Sequence, residues 1–352
     1  MDRSPRNTPS PIGKGFFHAL AALIALALVA GCVGRAPAPT ASPTPTFAVV
    51  AGSPTPTGAE TATGAADFPR TLVDDEGRTV ELARQPQRVI SLAPSFTEIV
   101  FALGAGDRLV GATDYEDYPP AAAELPDVAG FTGVIVERVV ELGPDLVLAG
   151  GNNLNPPADI ARLRELGYPV LVTYPPTVAD VLDDIRLIGQ ALGEEDAADT
   201  LSAQMAARIE QVEAAVEAFP RARVFYEIGY EPDIYGPAPE SFVADMVELA
   251  GGEPITTTDP AVFAIPLERL VTLDPEVIVL GDARYGVCPD AVRQRAGWSG
   301  MTAVRTGAIR PVDDVIVTRP GPRLAEGLAA LALAIHPTAA IEPPEEAAAL
   351  CE

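Results

Sequence analysis

The feature that most constrains this chain is a short internal repeat. The fifteen residues from Val136 to Gly150, VERVVELGPDLVLAG, recur from Leu267 to Gly281 as LERLVTLDPEVIVLG. Six positions coincide, where chance predicts about one or two, and most of the others exchange one aliphatic or one acid for another. In each copy an amphipathic run ends at an X-Pro step, which disfavours helix, and passes into a continuous aliphatic run that suits a buried strand. The chain therefore carries two similarly built halves.

Around the repeat, short Val/Ile/Leu runs alternate with helical stretches. The first series is Val89 to Leu92, Leu109 to Ala112, Leu146 to Ala149 and Val170 to Thr173; the second is Val224 to Ile228, Val277 to Leu280 and Ile309 to Val312. Uninterrupted aliphatic strands separated by helices point to parallel sheets covered on both faces. A small hairpin is expected over Thr71 to Leu82, about the turn Asp75-Glu76-Gly77. Between the two series, Glu194 to Phe219 holds Leu201, Met205, Ile209, Val212 and Val216 at helical spacing with no Gly or Pro, enough for a strut of roughly 37 Å. The expectation is an α/β protein of two lobes with mainly parallel sheets joined by one long rigid helix. The N-terminal lobe is assigned to 68–190, the interlobe helix to 191–220 and the C-terminal lobe to 221–352.

The residues before that fold decide the compartment. Arg3, Arg6 and Lys14 precede an apolar run from Gly15 to Leu28 that is too short for the ~20 residues of a membrane span. Residues 1–31 thus have the form of a signal peptide, and the ending Leu28-Val29-Ala30-Gly31-Cys32 resembles a bacterial lipobox. That resemblance implies cleavage before Cys32, acylation of its thiol and anchoring to the bacterial cell membrane; the alternative is a plain secretory signal. Residues 32–67, rich in Pro, Thr and Ala, cannot bury enough apolar surface to order themselves and serve as a linker. Outside the cytosol, Cys288 and Cys351 form either a disulfide pinning the C-terminal tail or two separate buried thiols.

Composition removes several function classes. With 24 Lys and Arg against 49 Asp and Glu, the net charge of −25 excludes a nucleic-acid footprint and electrostatic adhesion to anionic lipid. Only His18 and His336 exist, so zinc clusters and imidazole catalysis are not expected, and no resident cofactor, metal site or catalytic residue is assigned. No G-x-S-x-G, C-x-x-C or H-E-x-x-H occurs to support an extracytoplasmic hydrolase. A surface adhesion lipoprotein would explain the linker but not the duplicated α/β design.

Glu137 and Glu268 hold the same place in the two copies. First-turn acids interact well with a helix dipole, which suffices for either alone. Two matched carboxylates, one on each lobe, also suit a two-fold symmetric partner that offers arginines. For a ligand, aromatic and arginine residues near strand ends are the candidates: Tyr115 and Phe131 from the first lobe, Tyr230, Tyr235, Phe263 and Arg319 from the second. Ser95-Phe96-Thr97-Glu98 has the spacing of a helix capping box.

Taken together, RVISLAPSFTE at Arg88 to Glu98, DYEDYPP at Asp114 to Pro120, the two Glu-Arg helices, ESF at Glu240 to Phe242 with ELAGGE at Glu248 to Glu253, and RPGPR at Arg319 to Arg323 resemble the cobalamin and iron-siderophore substrate-binding proteins of ABC importers. The resemblance runs from about Thr71 to His336. It implies a non-enzymatic receptor that holds a cobalt corrinoid or ferric chelate in an interlobe cleft. Partners would be an ABC permease dimer with its ATPase, met by Glu137 and Glu268. It also places Tyr115, Phe131 and Arg319 at ligand positions. Two positions that are aromatic in cobalamin binders are Gly150 and Ile228 here.

Overall fold

The computed structural model describes residues 68–151, 154–259, 261–344 and 350–351. The signal segment, Cys32 and the linker lie outside these. Among the described residues no helix is long and apolar enough to cross a membrane.

The hairpin forms from β1 (Arg70–Val73) and β2 (Thr79–Leu82), antiparallel. The first sheet is built from β3 (Val89–Ser91), β4 (Leu109–Thr113), β5 (Asp127–Gly130), β6 (Gly133–Val134), β7 (Leu146–Gly150) and β8 (Val170–Thr173), in the order β6-β5-β4-β3-β7-β8. Every pairing is parallel except the terminal β5–β6 hairpin. Its helices are α1 (Pro94–Ala102), α2 (Val136–Leu142) and α3 (Pro157–Glu165), followed by α4 (Val178–Leu192) and α5 (Glu195–Val216). The second sheet contains β9 (Ala222–Glu227), β10 (Gly252–Pro254), β11 (Val277–Leu280) and β12 (Ile309–Pro311), all parallel, in the order β10-β9-β11-β12. With it go α6 (Phe242–Leu249), α7 (Leu267–Leu273), α8 (Pro289–Arg293), α9 (Thr302–Thr306), α10 (Asp314–Thr318) and α11 (Leu324–Ile335).

The long helix of 22 residues buries one stripe, Ala198, Ser202, Met205, Ile209, Val212 and Val216, at alternating steps of four and three. That stripe joins a single apolar cluster containing Val89 and Leu146 of the first sheet and Val224 and Val279 of the second. The two sheets share a core through α4, α5 and α11, and Asp245 on α6 ties them again by accepting from the Val178 backbone N–H at 2.7 Å.

The repeat is structural as well as textual. Each copy is a seven-residue helix followed by a strand, α2–β7 and α7–β11. Both helices end on a left-handed residue, Gly143 at φ 55° and Asp274 at φ 46°. Asp274 tolerates that backbone because its carboxylate accepts from the Thr302 N–H at 2.7 Å and hydroxyl at 2.8 Å. The acids after the X-Pro steps act alike: Asp145 accepts from the Arg88 N–H at 2.8 Å and Glu276 from the Arg223 N–H at 3.0 Å. Arg88 and Arg223 in turn donate to the last carbonyls of α2 and α7. Each lobe thus fixes its leading strand against its short helix with the same arginine–acid clasp.

The expected capping box at Ser95 is corrected. Pro94 occupies the first helical position, so Ala93 is the N-cap, with no side-chain cap, and Ser95 and Glu98 lie inside α1, both buried. Cys288 and Cys351 are joined in a disulfide, with Cα atoms 5.6 Å apart.

Candidate functional site

In parallel sheets the strand ends all face one way, so the residues just after them converge on one rim. On the first lobe, β4 runs into Asp114-Tyr115-Glu116-Asp117-Tyr118. The Asp114 N–H donates to the Ala129 carbonyl at 2.9 Å, and a side chain at Gly130 would come within 2.7 Å of the Asp114 carboxylate. This close approach presents Phe131 over Tyr115: their rings stack with centroids 4.8 Å apart and planes 20° from parallel. Phe131 is 92% exposed. Burial, then the Glu116 and Asp114 carboxylates, push the Tyr115 phenol above its ordinary range.

On the second lobe the loop after β9 doubles back. The Ile228 N–H donates to the Tyr235 carbonyl at 2.9 Å and the Tyr235 N–H to the Gly229 carbonyl at 2.8 Å; Tyr235 also bridges to Ala264, and the exposed Phe263 accepts from the Gly236 N–H through its carbonyl. Tyr230 turns away from this pair. Its ring face is covered by the Arg295 guanidinium at 3.8 Å, and Trp298 stands on the guanidinium as well at 4.6 Å. Arg295 also makes two bonds to the fully buried Glu227.

Arg319 joins the lobes. It donates to Glu98 on α1 at 2.6 Å and to Asp117 at 2.6 Å, while Arg323 makes a two-bond pair with Glu98 at 2.7 and 2.9 Å and lies over the Tyr118 ring. Burial alone would raise the Asp117 carboxyl, but the Arg319 bond and charge, with Arg323 and Arg284 adding to them, hold it below the usual range.

Of the six ligand candidates, the structure thus stacks Tyr115 on Phe131, holds Tyr235 and Phe263 on two paired backbone segments, and engages Tyr230 and Arg319 with neighbours. Sequence reasoning missed Glu98, Leu154, Tyr174 and Tyr285. Tyr174 directly follows β8, Tyr285 follows β11, and both are exposed, so position after an aliphatic run was the available signal. Leu154 folds back over Gly150, where a side chain would stand within 2.3 Å of it. Buried Asn155 fixes that turn by accepting from the Gly150 N–H and donating to the Leu92 carbonyl. Glu137 and Glu268 are both exposed second residues of their helices, α2 and α7. Among the described residues no group of three or more metal-ligating side chains comes together.

A family described as periplasmic binding protein matches residues 89–315. The chain is 35% identical over 275 residues to the ABC transporter substrate-binding lipoprotein YvrC of Bacillus subtilis, a match covering 77% of this chain and 86% of the relative. It is 32% identical over 285 residues to the cobalamin-binding protein of Halobacterium salinarum, covering 78% and 76%. Among solved structures, the periplasmic heme-binding protein RhuT of a Roseiflexus species aligns with a TM-score of 0.63 at 25% identity, over 71% of this chain and 98% of that one.

Proposed function

Because this chain belongs to the periplasmic binding protein family, whose members are solute-binding proteins and not enzymes, we propose that it is a lipid-anchored extracytoplasmic receptor that delivers a corrinoid to an ABC importer. The observation that carries the ligand reading is the Tyr115–Phe131 stack. A large aromatic left 92% exposed on a rigid partner is a preformed platform for a flat apolar face. Tyr235, Phe263 and Tyr285 lie in the segments that follow β9, β10 and β11 of the other lobe, and Tyr230 and Arg319 are engaged with neighbours.

The same site suits a corrinoid better than haem. A ferric haem wants an axial ligand from the protein, and burial with the Glu116 and Asp114 carboxylates disfavours the ionised form of Tyr115, the phenol at the platform. His336 is buried and bonded to the Gly251 carbonyl at 3.1 Å, away from the site. A corrinoid carries its own axial ligands and needs only shape and hydrogen bonds.

Delivery is supported by the exposed Glu137 and Glu268 at equivalent places on the two lobes, which suit arginines on a permease dimer. Acylated Cys32 and the linker would hold the receptor within reach of that dimer. The direct test is titration of the exported protein with cyanocobalamin, hemin and a ferric siderophore, read by quenching of intrinsic fluorescence. Saturable quenching by the corrinoid is expected; no saturable response to any of the three would overturn the reading. Cys32→Ser should release the protein from membranes, and retention would refute the anchor.

A further inference from the structure

A cavity of about 350 Å³ lies between the lobes on the side where β7 and β8 end. Its walls are largely apolar: Phe96 and Ile99 of α1, Leu154, Pro175, and Phe242 and Pro320 from the second lobe. Leu154 and Tyr174, 58% and 45% exposed, lie at its open side, whereas Ser95, Thr173 and Asp184 at its inner side are all more than nine-tenths buried.

Asp184 is the anomaly. It sits at 6% exposure, and its Oδ2 is fully buried without a hydrogen-bond partner among the described residues. An orphaned carboxyl oxygen costs free energy, and such groups in native proteins call for a function. Burial first, then the Asp75 charge, with the Asp180 charge and a side-chain bond to Asp75 adding to it, push this carboxyl up to about 8, against an opposing bond from Thr173. At neutral pH it is the acid, which offers one O–H donor together with acceptor capacity.

We propose that this pocket is a subsite for a primary carboxamide arm of the ligand, its alkyl stem against the apolar walls and its amide paired with Asp184. A carboxamide presents one carbonyl acceptor and N–H donors side by side, the complement of a carboxylic acid. An ammonium brings three donors to a neutral acid that offers acceptor oxygen alone, and a carboxylate meets the negative charge of Asp75 and Asp180 beside Asp184. This deepens the corrinoid reading, since corrinoids carry amide arms, and rests on it only for the identity of the stem's parent.

The test uses the whole exported protein with three probes of one length: valeramide, pentylamine and valerate. Chemical shifts of the Ile99 methyls, which line the pocket and are present in every variant, report occupancy. Valeramide should saturate with a Kd on the order of 10 mM, as its size allows, and the amine and acid should bind at least about tenfold more weakly. Asp184→Leu should abolish the amide preference. Leu154→Trp, a change at the exposed rim that fills the pocket without touching the core, should abolish binding of all three. No Ile99 response to valeramide, equal response to the three probes, or amide binding that survives Leu154→Trp would overturn the proposal. Valeramide capture in a protein that binds no chelate would strike the corrinoid reading and leave the subsite standing.

Discussion

Glu98 of the first lobe and Arg319 of the second meet at 2.6 Å across the lobe boundary, with the Glu98 side chain 1% exposed. Arg323 shares the same carboxylate at 2.7 Å. One buried charge therefore fixes two arginines that approach it from the other lobe. Such a pair adds little over an apolar replacement, but removing one partner strands the others in a poor solvent. Glu98→Gln should lower the free energy of unfolding by about 3 kcal/mol, measured by urea denaturation. A loss under about 0.5 kcal/mol would mean that Arg319 and Arg323 find other partners.

The exposed platform makes the opposite prediction. Phe131 contributes almost nothing to the core, so Phe131→Ala should leave stability within about 0.5 kcal/mol of the parent. Its affinity for cyanocobalamin should fall about tenfold, the sum of lost stacking and lost apolar area. Calorimetric titration decides the matter; unchanged affinity would remove the Tyr115–Phe131 stack from the site.

Much of this architecture is legible in the sequence because buried parallel strands write themselves as aliphatic runs. β8 and β11 occupy the expected residues, and the long helix runs from Glu195 where Glu194 was expected. What escaped are elements whose residues carry no period. β5, β6 and β10 are two to four residues long and hold glycines, and β6 and β10 lie at sheet edges, so neither alternation nor an apolar run marks them. Glu98 escaped for another reason. Its spacing from Ser95 satisfies a local rule, while its real partners lie more than 200 positions away, where no window can see them. The Asp184 pocket was equally invisible, since α1, α4 and α6 supply its walls.

The matched glutamates can be separated from the fold. Both stand exposed in the first turns of seven-residue helices, where an acid contributes about 0.3 to 1 kcal/mol through the dipole. Glu137→Arg combined with Glu268→Arg should abolish ligand-dependent ATPase stimulation in a reconstituted transporter while corrinoid affinity stays within twofold of the parent. Lost affinity would assign the pair to the cleft or the fold instead.

The last prediction concerns pH. Asp184 is held near 8 in the folded chain against an ordinary 3.8, with burial the main cause and Asp75 next. Between those values the native state keeps a proton that the unfolded chain has released. Stability therefore falls as pH rises from about 4 to about 8, and the loss is complete above that window. Asp184→Asn keeps a neutral hydrogen-bonding side chain of the same shape and removes the titration. The variant should match the parent near pH 4 and exceed it by roughly 2 to 5 kcal/mol at pH 9, the range that a shift of this size allows for a group so little exposed. Burial, the leading cause in each case, also raises Glu116 and Asp314, so the parent's own slope is steeper than Asp184 alone would give. Those groups are common to both proteins and cancel in the difference. Urea unfolding at each pH, parent against variant, isolates the one carboxyl; parallel curves from pH 4 to 9 would show that Asp184 ionises freely and that its pocket is wet.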